Sequence, residues 1–561
     1  MDFTHAAAGC PPRTVGLPRP SGRNCIVAAP QEGALSRPRR RNGTETREFA
    51  VQHLHRRAAF AFGVALATAS AALAQPLTGA PAQPDLRFST PLPPGVAAPP
   101  TLETRFGTLQ FLDGVPDAAS TQKLFDNLDF QRAVQAYLLA IPAVSQVADR
   151  NAIRGLGPTN RVVPVFADLV DSRTVGLTFN DNTVYTWTWL DLHDGPLVIE
   201  VPPEVLGTVN DIWFRWVVDV GITGPDRGHG GKYLLLPPDH AGPVPHGYHV
   251  VHSPTFNLWI PWRIFLQEGS PEPGVERTKK LLRIYPLADA GRRPPELTFV
   301  NLSGKPFNIV NPADFSFWEL LNQVVQEEPT ASLDQIRLGF YQSIGIEKGK
   351  PFAPDARMKQ ILTEAAAVGD ATARAIAYHT REPEAYYYPG SAWQKPFIGG
   401  YRFQTQPGVL NLSAYSFYYF LATGVTPAME EKMVGRGSQY AWAARDAKGE
   451  PLDGGKSYRL HLPPKIPVRD FWSVILYSNQ TRSMLQTDQR FPGLGSQSKG
   501  LEVNPDGSVD VYFGPTAPEG RQANWVQTVP GQGWNTILRL YGPLEPWFDQ
   551  SWRPGEIEPL S

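Results

Sequence analysis

Apolar and polar residues alternate most regularly between Asp453 and Pro543. In Ser457-Tyr-Arg-Leu-His-Leu462, Tyr458, Leu460 and Leu462 alternate with Ser457, Arg459 and His461, the period-two signature of a half-buried strand. Pro463-Pro464 ends it. Asp470 to Tyr477 reads as a second strand, apolar on both faces. Trp534 to Tyr541 puts Trp534, Thr536, Leu538 and Leu540 on one face, and Asn535, Ile537, Arg539 and Tyr541 on the other. The pattern predicts an antiparallel sandwich or barrel.

The same order of signals occurs earlier. Val198-Ile-Glu-Val-Pro-Pro203 followed by Asp211-Ile-Trp213 parallels Arg459-Leu-His-Leu-Pro-Pro464 followed by Asp470-Phe-Trp472. Gly231 to Pro237 echoes Ala523 to Pro530, and Trp259…Arg263-Ile-Phe265 echoes Trp534…Arg539-Leu-Tyr541. Four matches in one order point to internal duplication. Elsewhere the period changes to 3.6: Asn127 to Arg150 reads as an amphipathic helix interrupted near Pro142, Asp314 to His379 carries helical stripes, and Pro427 to Met433 opens a further helix.

The expected fold is therefore mainly β with an α insert, two similar antiparallel β-sandwich (jelly-roll-like) domains joined by a helical segment. The boundaries are a leader over 1–74, a Pro/Ala-rich linker over 75–104, an N-terminal sandwich over 105–270, a connecting helical segment over 271–395 and a C-terminal sandwich over 396–561.

Several short runs carry a family resemblance. Gly437-Ser-Gln-Tyr440, Phe471-Trp-Ser473, Tyr477-Ser-Asn-Gln-Thr-Arg482, Asn524-Trp525 and Arg539-Leu-Tyr-Gly-Pro543 resemble the bacterial family called domain of unknown function 1214. Asn180-Asp-Asn-Thr-Val-Tyr-Thr186 and Asp191-Leu192 resemble its companion, domain of unknown function 1254, with Asn182 where an Asp is expected. The resemblance implies two similar β-sandwich domains and export. It implies no reaction.

Composition narrows the classes. With 561 residues, 42% hydrophobic and 19% charged, the chain can bury more than one core, and its formal net charge of −1 gives nucleic acid no bulk attraction. His55-Arg-Arg57, the apolar run from Ala58 and Ala72-Leu-Ala74 follow the order of a secretory signal, predicting cleavage before Gln75 and an exported, periplasmic or secreted product. The apolar run is too short for a stable membrane span, and Sec and twin-arginine routes stay open. Removing residues 1–74 leaves 42 basic against 49 acidic residues and takes away both cysteines, Cys10 and Cys25. No thiolate nucleophile or cysteine metal site would remain.

The chemistry is sparse. His240, His246, His249 and His252 are spaced so that neighbours on a strand face opposite ways, and no His-Glu-x-x-His occurs, so neither a metal nor a cofactor is expected. There is no Gly-x-Ser-x-Gly elbow, and Ser438 reads as a turn or hydrogen-bonding serine. Polar residues on apolar strands say more, because an unpaired charge there is costly. If Ile212 to Val220 is one strand, Arg215 and Asp219 share a face, as Tyr185 and Asp191 do on the strand before. The C-terminal half offers Arg482, Asn524, Trp525, Arg539 and Tyr541. Arg, Asn and aromatic groups together can grip a carboxylate, phosphate or sugar, and the loop-borne Arg482 and Asn524 carry more weight than strand residues. Arg539 is expected at a partly solvated ligand site, its alternative being a pair with Asp510 that locks two strands.

Two function classes follow. One is an exported protein binding or processing a small organic or glycan ligand at a sandwich mouth or inter-domain cleft. The other is a structural envelope protein whose aromatic strands join copies into a homo-oligomer. An enzyme falls within the first class, without an assigned nucleophile.

Overall fold

The computed structural model describes residues 86–560. The expected signal, 55–74, lies outside them. Five strands form the frame of the N-terminal half: β1 (Thr183–Asp191), β2 (Leu197–Val201), β3 (Val205–Asp211), β4 (Gly231–Leu236) and β5 (Asn257–Phe265). β5 lies between β1 and β3, antiparallel to both, in a six-stranded sheet. β2 and β4 pair antiparallel in a four-stranded sheet, flanked by His249–His252, parallel to β4, and Arg283–Pro286, antiparallel to β2. The alternation read from sequence has its cause here: Val184, Leu190, Leu258 and Ile260 from the large sheet pack with Leu197, Ile199, Tyr233 and Leu235 from the small one in a shared core.

The C-terminal half repeats this arrangement. Its strands are β6 (Ser438–Ala443), β7 (Tyr458–Leu462), β8 (Val468–Ser478), β9 (Val509–Gly514) and β10 (Trp534–Pro543). β10 lies between β6 and β8, antiparallel to both; β7 pairs antiparallel with β9. Trp525–Gln527 runs parallel to β9, and Ile557–Pro559 antiparallel to β7. Ala441, Val474, Leu538 and Leu540 meet Tyr458, Leu460, Val511 and Phe513 in the second core.

Helices occupy the other faces of the large sheets. They are α1 (Ala118–Arg154), α2 (Ser316–Glu327), α3 (Ala356–Tyr378) and α4 (Leu412–Leu421). Their buried side chains join Trp187, Trp259, Trp442, Tyr477 and Ile537 in one cluster that spans both halves. The molecule's largest apolar cluster is thus the seam between the sheets, not either sheet pair.

Several expectations need correction. α1 runs unbroken through Pro142, because residues 140–147 are buried and their packing outweighs a proline cost of about 3 kcal/mol. Ile212 to Val220 is not one strand: Phe214 at φ +64° turns the chain between β3 and Trp216–Gly221, so the proposed face shared by Arg215 and Asp219 does not form. Trp213 stands in that turn, whereas Trp472 lies mid-strand in β8, so the two are not equivalent, although Pro202-Pro203 and Pro463-Pro464 each follow the second strand of their half. Gly231–Leu236 holds the place of Val509–Gly514, not of Ala523 to Pro530. Pro427–Met429 is a single 3-10 turn. The helix at Leu412–Leu421 escaped sequence reading because its residues from Ala414 onward are all buried and leave no polar stripe. Strands at Arg283–Pro286 and Thr298–Asn301 carry the N-terminal sheets beyond residue 270.

Candidate functional site

A cavity of roughly 950 Å³, counting the space at its mouth, lies between the two large sheets. From the N-terminal half it is walled by Tyr185 and Trp187 on β1, Trp259 and Arg263 on β5, and the loop at Thr178-Phe179. From the C-terminal half come Ser438, Tyr440 and Trp442 on β6, with Ile537 and Arg539 on β10. Phe397, Tyr418 and the segment 421–429 close it from the helical side.

Strand period places these groups. Residues 259 and 263 share one face of β5, and 537 and 539, being two apart, share the outward face of β10. In register, Arg263 stands opposite Tyr185, and Arg539 stands opposite Tyr440. Each half therefore presents one arginine–tyrosine pair from its central strand and a neighbour.

The two pairs differ in how they are satisfied. Arg539 is 3% exposed; Nη1 donates to the Tyr477 hydroxyl at 2.5 Å and Nη2 to the Thr178 carbonyl at 2.5 Å. Its positive charge also acts on Asp181, whose carboxyl is pushed up to about 6 by burial, with Arg539 pulling the other way. Arg263 is half-buried, and its one side-chain hydrogen bond among the described residues runs from Nε to the Tyr185 hydroxyl at 3.2 Å. Among the described residues neither of its terminal nitrogens has an acceptor. On the same face the buried indole N–H of Trp259 also has no partner among the described residues. Asn180 ties the halves behind this wall, donating from Nδ2 to Tyr185 at 2.9 Å and to Tyr541 at 2.6 Å.

Of the nine site candidates, Tyr185 and Arg539 line the cavity, and Tyr541 lies just behind it, stacked on Phe471. Arg539 is fully buried rather than partly solvated. It does not pair with Asp510, which holds His461 and Asn504 on the other sheet. The remaining six are elsewhere. Asp191 pairs with Arg154 and His193 at the far end of β1. Arg215 pairs with Asp211. Asp219 accepts from Trp216 and from the wall residue Thr426, one layer behind the cavity. Arg482 lies 4.2 Å over the Phe420 ring and donates to its carbonyl. Asn524 bonds the backbone of Glu502 and Asp510, and Trp525 donates to the Gly514 carbonyl.

Sequence reading missed Arg263, Tyr440 and Asn180. Signals existed: Arg263 and Arg539 are the paired members of the repeated Trp…Arg motif, and Asn180 opens the run that carries the family resemblance. Among the described residues no cluster of three or more His, Cys, Asp or Glu could hold a metal ion, and no helix is long and apolar enough to cross a membrane.

Residues 159–286 match the family model described as Protein of unknown function (DUF1254), and 437–545 match Protein of unknown function (DUF1214). The two matches stand in that order along the chain. Both arginine–tyrosine pairs fall inside the matched stretches, Arg263 and Tyr185 in the DUF1254 half, Arg539 and Tyr440 in the DUF1214 half. No curated protein matches. Among solved structures, the VPA0106 protein from Vibrio parahaemolyticus is similar at 19% identity and TM-score 0.49, covering 77% of this chain and 100% of that one. A putative uncharacterized protein from Burkholderia cenocepacia is similar at 14% identity and TM-score 0.37, covering 78% of this chain and 96% of that one.

Proposed function

We propose that this is an exported binding protein for a small, mainly apolar molecule bearing an anionic group, a carboxylate above all, held in the cavity between the DUF1254 and DUF1214 halves. The observation that carries the reading is Arg263, a guanidinium on an aromatic wall with two terminal nitrogens unclaimed. Such a fork matches the two oxygens of a carboxylate and rewards an anion that replaces water there. The walls of Trp187, Trp259, Phe397, Tyr418 and Leu421 favour an aromatic or aliphatic body over a glycan, which needs many polar partners. The aromatic strands face this interior rather than an outer surface, which favours binding over a structural homo-oligomer.

Each half reads as a β-sandwich, and the shared strand order with its arginine–tyrosine pair on equivalent strands supports descent by duplication. Export rests on the leader pattern, and N-terminal sequencing of secreted material should find Gln75 first.

The binding experiment is calorimetry with 2-naphthoate and decanoate against their neutral amides. The acids should bind and the amides should not. Equal affinity for acid and amide, or no binding by either acid, would overturn the reading.

A further inference from the structure

We infer that Ser438 and Tyr440 form a nucleophile–base pair, and that the cavity hydrolyses small esters with an apolar acyl group. The inference rests on the binding reading above, because the acid released is the class of ligand assigned to the cavity.

The local geometry is specific. Gly437 has φ +69°, and a Cβ there would fall 2.3 Å from the Ala428 carbonyl oxygen, so only glycine lets the chain bring Ser438 into the wall beside the Pro427–Met429 turn. Two residues apart on β6, Ser438 and Tyr440 share the cavity face. Their hydroxyl oxygens are 2.6 Å apart, and neither has another side-chain or backbone partner among the described residues. A serine hydroxyl within hydrogen-bond reach of a second group that can take its proton is the minimal nucleophilic arrangement.

The surroundings complete it. Arg539 lies opposite Tyr440 in register, its guanidinium carbon 5.9 Å from the ring centre. Arg263 brings unclaimed N–H donors to the same cavity. The two guanidiniums bring positive charge to the cavity, which stabilises negative charge developing on the tyrosine oxygen and on a carbonyl under attack.

The reaction balances. Once Tyr440 has given its proton to solvent, Ser438 Oγ bonds to the ester carbonyl carbon while its own proton passes to the tyrosine oxygen. The carbonyl π pair moves onto oxygen, facing the donors of Arg263. Collapse breaks the bond to the alkoxide, which takes the proton back from Tyr440 and departs as the alcohol. Water repeats the sequence at acyl-Ser438, giving the carboxylic acid and restoring the Ser438 hydroxyl and the Tyr440 phenolate. No oxidant, metal or cofactor enters.

The probes are p-nitrophenyl butyrate for turnover and phenylmethylsulfonyl fluoride for labelling, with intact mass and peptide mapping. Wild type should turn over and take one label on Ser438. S438A should take no label, and both S438A and Y440F should lose at least about 100-fold in kcat while keeping thermal stability. Wild-type turnover no faster than S438A, or a label on another residue, would overturn the inference. Naphthoate binding with S438A-insensitive turnover would sink catalysis and leave the binding reading standing. Labelled Ser438 and S438A-sensitive turnover without naphthoate binding would do the reverse.

Discussion

The DUF1254 and DUF1214 halves put the same two residue types at the same place on the same strands, and use them differently. Arg539 sits under Tyr440 with both terminal nitrogens bonded to protein and a carboxylate near it; Arg263 sits beside Tyr185 with neither terminal nitrogen claimed among the described residues. A buried charge with its donors satisfied holds structure, and one with donors left over invites a ligand. The division of labour therefore follows from hydrogen-bond counting, not from residue type. The acceptor on Thr178 makes the asymmetry, because it belongs to the N-terminal half and reaches across to Arg539 alone.

The comparison breaks most visibly at Arg539. Replacing it with Met leaves the buried Thr178 carbonyl and Tyr477 hydroxyl without their donor, at a cost of about 2–6 kcal/mol for the two groups. Denaturant unfolding should show that loss, while material folded well below the midpoint keeps its affinity for 2-naphthoate. A stable Arg539→Met protein that no longer binds would reverse the roles assigned to the two arginines.

Arg263→Met should do the opposite. The midpoint should move little, and the affinity for 2-naphthoate should fall by roughly 10- to 100-fold, the worth of a charge-assisted hydrogen bond of about 1.5–3 kcal/mol. Arg263→Lys sharpens the point with a smaller effect, since it keeps the charge and loses the planar fork. Titration calorimetry on the three proteins separates charge from geometry; equal affinities across them would mean that Arg263 does not touch the ligand.

Much of this frame was legible in the sequence. Alternation alone put Arg539 and Tyr541 on the face away from the C-terminal core, which is where they lie, and the repeated Trp…Arg motif set Arg263 parallel to Arg539 without marking it as a site residue. What alternation cannot carry is the meeting of two faces from different halves. The bond from Asn180 to Tyr541 spans 361 residues, and no local pattern announces it. Loop position misled for a physical reason: Arg482 and Asn524 spend their donors on backbone carbonyls, as buried loops require, so their polarity serves the fold. Asp219 was visible as a polar residue among apolar ones, but the turn at Phe214 removed it from the face that periodicity gave it.

A further effect concerns Asp181, the carboxylate on which the charge of Arg539 acts. Burial raises its folded-state pKa to about 6, above the ordinary value of 3.8 that serves for the unfolded chain. Between those values the folded protein keeps a proton that the unfolded chain has released, so stability falls as pH rises from about 4 to about 6, and the cost is complete above that window. Asp181→Asn removes the ionisation. The variant should match wild type near pH 4 and exceed it by about 3 kcal/mol at pH 8, read from urea midpoints across the range. If Arg539 instead held Asp181 as a tight partner, the Asn variant would be the weaker protein at pH 8. The arginines again part company here: in an Arg539→Met background the carboxyl loses the one charge that lowers its pKa, so the window should stretch to higher pH. An Arg263→Met background should leave the window where it is, and a shift there would mean that the two arginines share one electrostatic site.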